Sequence, residues 1–171
     1  RGELSSMLTG PDPAGAVRLL ERTGILAVVL PEVAVLRGVE QPPEFHPEGD
    51  VLTHTLLMLE HMAKPDPLLA WSVLLHDVGK AVTQSRDETG RIRFFGHETA
   101  GAETAAAILE RFRFSTAERD GIVQAVRNHM RFASVLRMKP AKLRRLLADP
   151  NFPLELELHR LDCIACHGIL D

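Results

Sequence analysis

Four residues of this chain have the side chains and the spacing of a metal site: His54, the adjacent pair His76-Asp77, and Asp162. Imidazole and carboxylate groups are common ligands of divalent metals, and oxygen ligands also suit Mg. A bound divalent metal lowers the pKa of its water and neutralises a phosphate, so such a site can hydrolyse a phosphoester. The residues therefore predict one or two divalent ions, drawn from Mn, Ni, Fe, Co, Mg and Zn.

The helical phase around the His-Asp pair indicates that both side chains point into the core. Leu69, Val73, His76, Asp77 and Lys80 follow the i, i+4, i+7, i+8, i+11 series of one helix face. Buried imidazole and carboxylate groups are costly unless they are paired or bind a cation. We expect Asp77, with its two oxygens, to bridge two metals and to be catalytic, and Lys80 to bring a fixed positive charge to the phosphate.

Two further histidines extend the candidate site. His97 opens an Ala-rich helix and His129 closes the next one. A second metal about 3.5–4 Å from the first would hold both the attacking and the leaving oxygen of a phosphoester. The alternative for each is a helix-end histidine held by local contacts, since an imidazolium is favourable at a helix C-terminus.

The elements that must position these residues are predicted to be helices almost throughout. No stretch sustains the alternation of a half-buried strand, and aromatic residues are only 5% of the chain. Capping and proline signals place helices at 13–24, 51–62, 68–80, 98–113 and 115–130, after Pro140 and from Leu154 onward, with a loop or short hairpin at 81–96. The fold class is therefore predicted to be all-α, a helical bundle.

Length and composition restrict the function classes. The 171 residues fit one domain, and 45% hydrophobic residues predict a packed core. The net charge of −3 gives no overall basic field for nucleic acid, and no apolar run reaches the length of a membrane span. Two cysteines and the lack of a leader pattern favour the cytoplasm. A chain that starts at Arg1 instead of Met favours a fragment of a larger protein.

The order His54, His76-Asp77, Asp162 resembles the H…HD…D signature of the HD phosphohydrolase superfamily. Longer motifs resemble the HD-bearing C-terminal part of the bacterial tRNA nucleotidyltransferase and poly(A) polymerase family. These motifs are Leu30-Pro31-Glu32, Gln41, His46-Pro47-Glu48-Gly49-Asp50-Val51, His54-Thr55, Leu74-Leu75-His76-Asp77-Val78-Gly79-Lys80 and Gly96-His97-Glu98. The resemblance implies connecting helices over residues 1–45 and an HD helical bundle over residues 46–171.

The same resemblance implies a metal-dependent phosphodiesterase, 2′-nucleotidase or phosphatase that acts on a nucleotide or RNA phosphoester. It implies His54, His76, Asp77 and Asp162 as metal ligands, and His97 and His129 as the extra histidines of two-metal members. A Gly-Ser pair followed by an Asp-x-Asp pair, which carries nucleotidyl transfer in the family, does not occur in the sequence. tRNA is then expected as a partner of the parent protein only, and the oligomeric state stays open. The alternative is a non-catalytic helical module that binds RNA or a neighbouring domain.

Other features have simpler explanations. Cys163 and Cys166 with His167 match the spacing of covalent haem attachment, but without an export signal two small core residues of a helix are favoured. His61, His159 and His167 are expected to be structural, and Lys80 has the alternative of a surface lysine. A basic stretch is either a solvated helix face or a contact with RNA or substrate phosphate; it consists of Arg131, Arg137, Lys139, Lys142, Arg144 and Arg145.

Overall fold

A computed structural model of the chain describes residues 1–63 and 66–167, without the side chain of residue 167. The predicted all-α fold is confirmed. The helices are α1 (Gly2–Leu8), α2 (Pro13–Arg22), α3 (Ile25–Val29), α4 (Pro31–Ala34), α5 (Val51–Glu60), α6 (Pro67–Leu75), α7 (Lys80–Thr83), α8 (His97–Arg111), α9 (Thr116–Asn128), a 3-10 helix (His129–Arg137), α10 (Pro140–Leu147) and α11 (Phe152–His167). Strands β1 (Ser85–Arg86) and β2 (Ile92–Arg93) form an antiparallel hairpin. It lies within residues 81–96, where the sequence predicted a loop or a short hairpin.

Side-chain caps start several helices where the sequence predicted them. Asp12 accepts a hydrogen bond from the backbone N–H of Gly15 at 2.8 Å, and Asp50 accepts one from the N–H of Thr53 at 2.7 Å. Ser115 and Glu118 form the predicted capping box. Each cap satisfies backbone donors that the first helical turn leaves unpaired, so the start of α5, which carries His54, is fixed.

Helix α6 lies at the centre of the bundle and packs against α1, α5, α9 and α11. The residues of α6 from Leu69 to Leu75 are all buried. A helix surrounded by the core on all sides needs no polar face, and α6 has none. Trp71 fills the space beside Phe112 and Phe114 and donates its indole N–H to Ser5 Oγ at 3.0 Å. The helix therefore ends inside the core, and the residues that follow it are buried as well.

The structure corrects the predicted extent of this central helix. The sequence predicted one helix to Lys80, but α6 ends at Leu75, a turn covers 76–79, and Lys80 begins the short α7. The turn approaches α8 so closely that a Cβ on Gly79 would lie 2.2 Å from the carbonyl oxygen of His97 and 2.5 Å from the amide nitrogen of Gly101. The absence of a side chain at Gly79 thus permits the contact that brings His97 toward the His-Asp pair.

Three smaller differences from the predicted helices concern one additional helix and the ends of two others. α1 was not predicted, because it is short and is held by packing of Leu8 rather than by a sequence signal. The first predicted helix ends at Arg22, and Gly24 takes a left-handed conformation with φ of 74° before α3. The helix expected to run to residue 130 changes to a 3-10 helix at His129.

Of the helices described in 1–63 and 66–167, none combines the length and the apolar character needed to cross a lipid bilayer.

Candidate metal centre

His76 and Asp77 occupy the turn after α6 and are almost completely buried, with 1% and 2% of their surfaces exposed. The imidazole of His76 is held by a hydrogen bond from its Nδ1 to the carbonyl oxygen of Val73, at 2.8 Å. Its Nε2 lies 3.1 Å from Asp77 Oδ2. The ring is thus oriented by its own helix, and its other nitrogen faces the carboxylate.

The same kind of hydrogen bond holds His97, the first residue of α8, and His129, the first residue of the 3-10 helix. Nδ1 of His97 bonds to the carbonyl oxygen of Phe94 at 2.8 Å, and Nδ1 of His129 bonds to that of Val126 at 2.6 Å. Their Nε2 atoms lie 3.2 Å from each other, and 3.5 and 3.7 Å from Asp77 Oδ1. Both histidines therefore point at the free side of the Asp77 carboxylate.

The hydrogen bonds to the backbone place a proton on Nδ1 of each imidazole and leave Nε2 facing the site, where a cation could bind. A carbonyl oxygen only accepts, so each bonded Nδ1 carries a proton, which leaves Nε2 as the nitrogen that can offer a lone pair to a metal. The lone pairs of His97 and His129 then face each other across 3.2 Å. Within residues 1–63 and 66–167, His76 Nε2 and Asp77 Oδ1 have no hydrogen-bond partner. Lone pairs and a carboxylate that converge in a buried site repel one another, and a divalent cation between them would turn that repulsion into coordination.

His54 and Asp162 bring α5 and α11 to the same place. His54 is fully buried, and its Nε2 lies 3.1 Å from Asp162 Oδ1. Its ring centre is 5.4 Å from that of His76. Burial alone would lower the pKa of His54, but the contacts with Asp162, Cys166 and Glu48 raise it well above its usual value. The same pairing lowers the pKa of Asp162 against the effect of its burial.

Two groups of ligand atoms meet at Asp77. One consists of His54, His76 and Asp77, the other of Asp77, His97 and His129, and within each group the atoms lie within 4.8 Å of one another. A carboxylate with one oxygen toward each group has the form of a bridge between two cations. All six residues predicted as ligands are therefore in or beside one buried cluster, with Asp162 joined through His54.

Lys80 is buried beneath this cluster, so the alternative of a surface lysine is wrong. Its Nζ donates to Asp77 Oδ2 and to Gln41 Oε1, each at 2.7 Å. Burial acts to raise the pKa of Asp77, but its contacts with His76 and with the ammonium group of Lys80 lower it well below its usual value. The carboxylate that the metal centre needs is therefore held ionised by the chain itself.

Three more residues lie beside His54, and the sequence interpretation gave no role at the site to two of them, Glu48 and Cys166. Glu48 Oε1 accepts from His54 Nδ1 at 2.7 Å, His46 Nδ1 lies 2.9 Å from the same oxygen, and Cys166 Sγ lies 3.4 Å from His46 Nδ1. The two cysteines were expected to be core residues, but both are only partly buried and face histidines, Cys163 facing His159 at 3.6 Å. The side chain of His167 lies outside the described residues. The motif from His46 to Asp50, which carries part of the family resemblance, was the sequence feature that could have pointed to Glu48.

A buried glutamate fixes α11 to the end of α9. Glu155 is completely buried and accepts hydrogen bonds from Gln124 Nε2 at 3.2 Å and Asn128 Nδ2 at 3.0 Å, and it pairs with Arg131. Burial raises the pKa of Glu155, against the opposing effect of these partners. The network sets the position of α11, which carries Asp162, relative to the 3-10 helix that begins with His129.

Known proteins resemble this chain over most of its length. The family model described as HD domain matches residues 50–164. The chain is 41% identical to a "Multifunctional CCA protein" of Halorhodospira halophila over 95% of this chain, which is 40% of that protein. It is 42% identical to a "CC-adding tRNA nucleotidyltransferase" of Thermus thermophilus over 75% of this chain and 30% of that protein. An "A-adding tRNA nucleotidyltransferase" of Deinococcus radiodurans is 38% identical over 76% and 31%.

The chain thus spans at most 40% of the length of these relatives. The matched region begins at the N-cap of α5 and ends in α11, so it contains every predicted ligand. The chain belongs to the HD domain family.

Proposed function

We propose that the chain is a metal-dependent phosphohydrolase, a phosphodiesterase, 2′-nucleotidase or phosphatase, within a tRNA nucleotidyltransferase or poly(A) polymerase. The observation that carries this proposal is the carboxylate of Asp77, which faces two groups of imidazole nitrogens at once. Relatives named as CC-adding and A-adding tRNA nucleotidyltransferases support a nucleotide or RNA phosphoester as the substrate. The parent protein would then bring tRNA to the domain.

In this proposal His54, His76, Asp77 and Asp162 hold a first divalent ion, and His97 and His129 complete a second site with Asp77. Such an ion would supply a nucleophilic water at neutral pH and would neutralise charge on the phosphate. The carbonyls of Val73, Phe94 and Val126 hold three of the imidazoles, so the ligands are oriented before any ion arrives.

Lys80 has a double role in this proposal. Two of the three N–H donors of its ammonium group are used by Asp77 and Gln41, and the third remains for a phosphoryl oxygen. A cation beside a buried carboxylate keeps that carboxylate ionised and contributes positive charge where the transition state gains negative charge. We therefore propose Asp77 and Lys80 as the catalytic side chains.

The test is metal content together with turnover. We expect the chain purified from metal-supplemented medium to hold between one and two divalent ions per molecule. We also expect it to hydrolyse bis-p-nitrophenyl phosphate, with a rate that falls to background after chelation and returns with Mn²⁺, Ni²⁺ or Co²⁺. Less than one ion per several chains, with no turnover in any of the metals, would contradict the proposal.

A second candidate function is an RNA-binding helical module. It is favoured by exposed basic side chains at the end of the 3-10 helix and on α10, where Lys142 and Arg145 line one open surface cavity with Arg131. These cations could neutralise phosphates of an RNA backbone without any metal chemistry.

The salt dependence of RNA binding tests this candidate. If the surface binds RNA, replacing Lys142 and Arg145 with Ala should lower the slope of log affinity against log salt by about 1.4, since each single-strand phosphate contact contributes roughly 0.7. Replacing the exposed Arg22 of α2 with Ala is the matched control and should leave the slope unchanged. Equal slopes in all three proteins would exclude the surface as an RNA contact.

A further inference from the structure

A second set of ligand side chains lies on the outer side of His54, away from Asp77. His46 and Glu48 come from the loop before α5, and Cys166 comes from the last turn of α11, 120 residues from His46 in sequence. The ligand atoms of these three residues and of His54 lie within 4.8 Å of one another. The cluster therefore brings a thiol, two imidazoles and a carboxylate together from separate segments.

The spacing of these atoms suits a tetrahedral cation. His46 Nδ1 lies 3.4 Å from Cys166 Sγ and 2.9 Å from Glu48 Oε1. In a tetrahedral zinc site, with Zn–N of about 2.0–2.1 Å and Zn–S of about 2.3 Å, the nitrogen and sulfur ligands are about 3.6 Å apart. Small side-chain movements would therefore bring the nitrogen, oxygen and sulfur to one ion.

Glu48 gives an independent indication of a cation. Its side chain is only 6% exposed, and its Oε1 is used by His54 and His46. Its other oxygen, Oε2, is buried and has no hydrogen-bond partner in the described part of the chain. A buried carboxylate oxygen that accepts nothing carries a desolvation cost, which a bound cation would offset.

We propose that His46, Glu48 and Cys166 form a second, separate site for a zinc-like divalent cation beside the HD centre. The thiol selects for Zn²⁺ or Co²⁺ over Mg²⁺ and Mn²⁺, because sulfur is a soft ligand. When the ion binds, a sulfur–metal bond replaces the S–H bond of Cys166, and the proton leaves to water. His54 contacts this site through the hydrogen bond of its Nδ1 with Glu48 Oε1, while its Nε2 faces Asp162.

Cobalt binding tests the site without any measurement of activity. The chain, kept reduced with a thiol-free reductant, is titrated with Co²⁺ while its near-ultraviolet absorption is recorded. A thiolate bound to Co²⁺ gives a charge-transfer band there, and none of the residues assigned to the HD centre contains sulfur. We expect the band in the wild-type chain and its loss in Cys166→Ser.

Cys163→Ser is the matched control, because Cys163 lies on the same helix but contacts His159 instead of His46. It should keep the full band, as should Asp77→Asn, which removes a ligand of the HD centre only. His46→Gln should raise the Co²⁺ concentration at half-saturation by about tenfold or more. No band in the wild type, a band that survives Cys166→Ser, or a band lost in Cys163→Ser would overturn the proposal, whether or not the HD centre binds metal.

Discussion

Replacing Asp77 with Asn is expected to lower turnover of bis-p-nitrophenyl phosphate by about three orders of magnitude or more, which corresponds to about 4 kcal/mol in the barrier. The substitution keeps the shape of the side chain but removes the charge that faces His97 and His129 on one side and His76 on the other. An amide is a poor ligand for a divalent cation beside neutral imidazoles, so the metal content should fall with the rate. Elemental analysis and initial rates are measured on the same preparation.

The same change leaves the ammonium group of Lys80 buried without its carboxylate, and breaking a buried pair costs about 3–5 kcal/mol of folding free energy. A double variant, Asp77→Asn with Lys80→Met, removes both charges and separates loss of metal from loss of fold. Asp120→Asn, on the exposed side of α9, is the matched control and should keep both metal and activity. Full metal content in Asp77→Asn would show that the ligand assignment is wrong.

Gly79→Ala should destabilise the fold without touching any charge, with a loss of about 3 kcal/mol or more in the free energy of unfolding. The backbone at Gly79 has a φ of −72° and a ψ of −16°, which any residue adopts, so conformational strain is not the reason. The reason is space, because the new Cβ would lie 2.2 Å from the carbonyl oxygen of His97 and 2.9 Å from the Cα of Gly101. Backbone atoms of a packed helix cannot move aside as a flexible side chain can.

Urea unfolding followed by circular dichroism measures this loss. Gly121→Ala is the control within α9, where the nearest atom to a new Cβ is Asn151 Oδ1 at 3.5 Å. Alanine in a helix interior is favoured over glycine by about 0.8–1.0 kcal/mol, so this variant should be as stable as the wild type or more stable. Equal stability of the Gly79 variant and the wild type would mean that the turn and α8 are not in the close contact described.

Local signals in the sequence predicted much of the fold. The carboxylates of Asp12 and Asp50 and the pair Ser115–Glu118 act within three residues along the chain, so the sequence alone places the starts of α2, α5 and α9. The burial of His76 and Asp77 was also predicted, from the apolar stripe of a helix expected to run to Lys80, although that helix ends at Leu75.

Features that depend on distant contacts were not predictable in this way. The close approach of Gly79 to Gly101 joins two distant segments, and the sequence interpretation extended the helix past Leu75 to Lys80. Cys166 faces His46 only because α11 folds back beside the loop before α5, and the spacing of the two cysteines favoured a core position instead. The convergence of His97 and His129 on Asp77 was expected from a family resemblance, and their roles as ligands stay a prediction.

The order of the candidate ligands along the chain has a consequence for folding. His54, His76, His97, His129 and Asp162 belong to five segments spread over most of the sequence, so the unfolded chain holds them far apart. The two cations proposed to share Asp77 would together link all five segments, as a reversible cross-link that only the folded chain can form. Once the free ion exceeds its dissociation constant, each further tenfold increase adds about 1.4 kcal/mol to the free energy of unfolding. The stability of this domain would then report the metal supply of its surroundings.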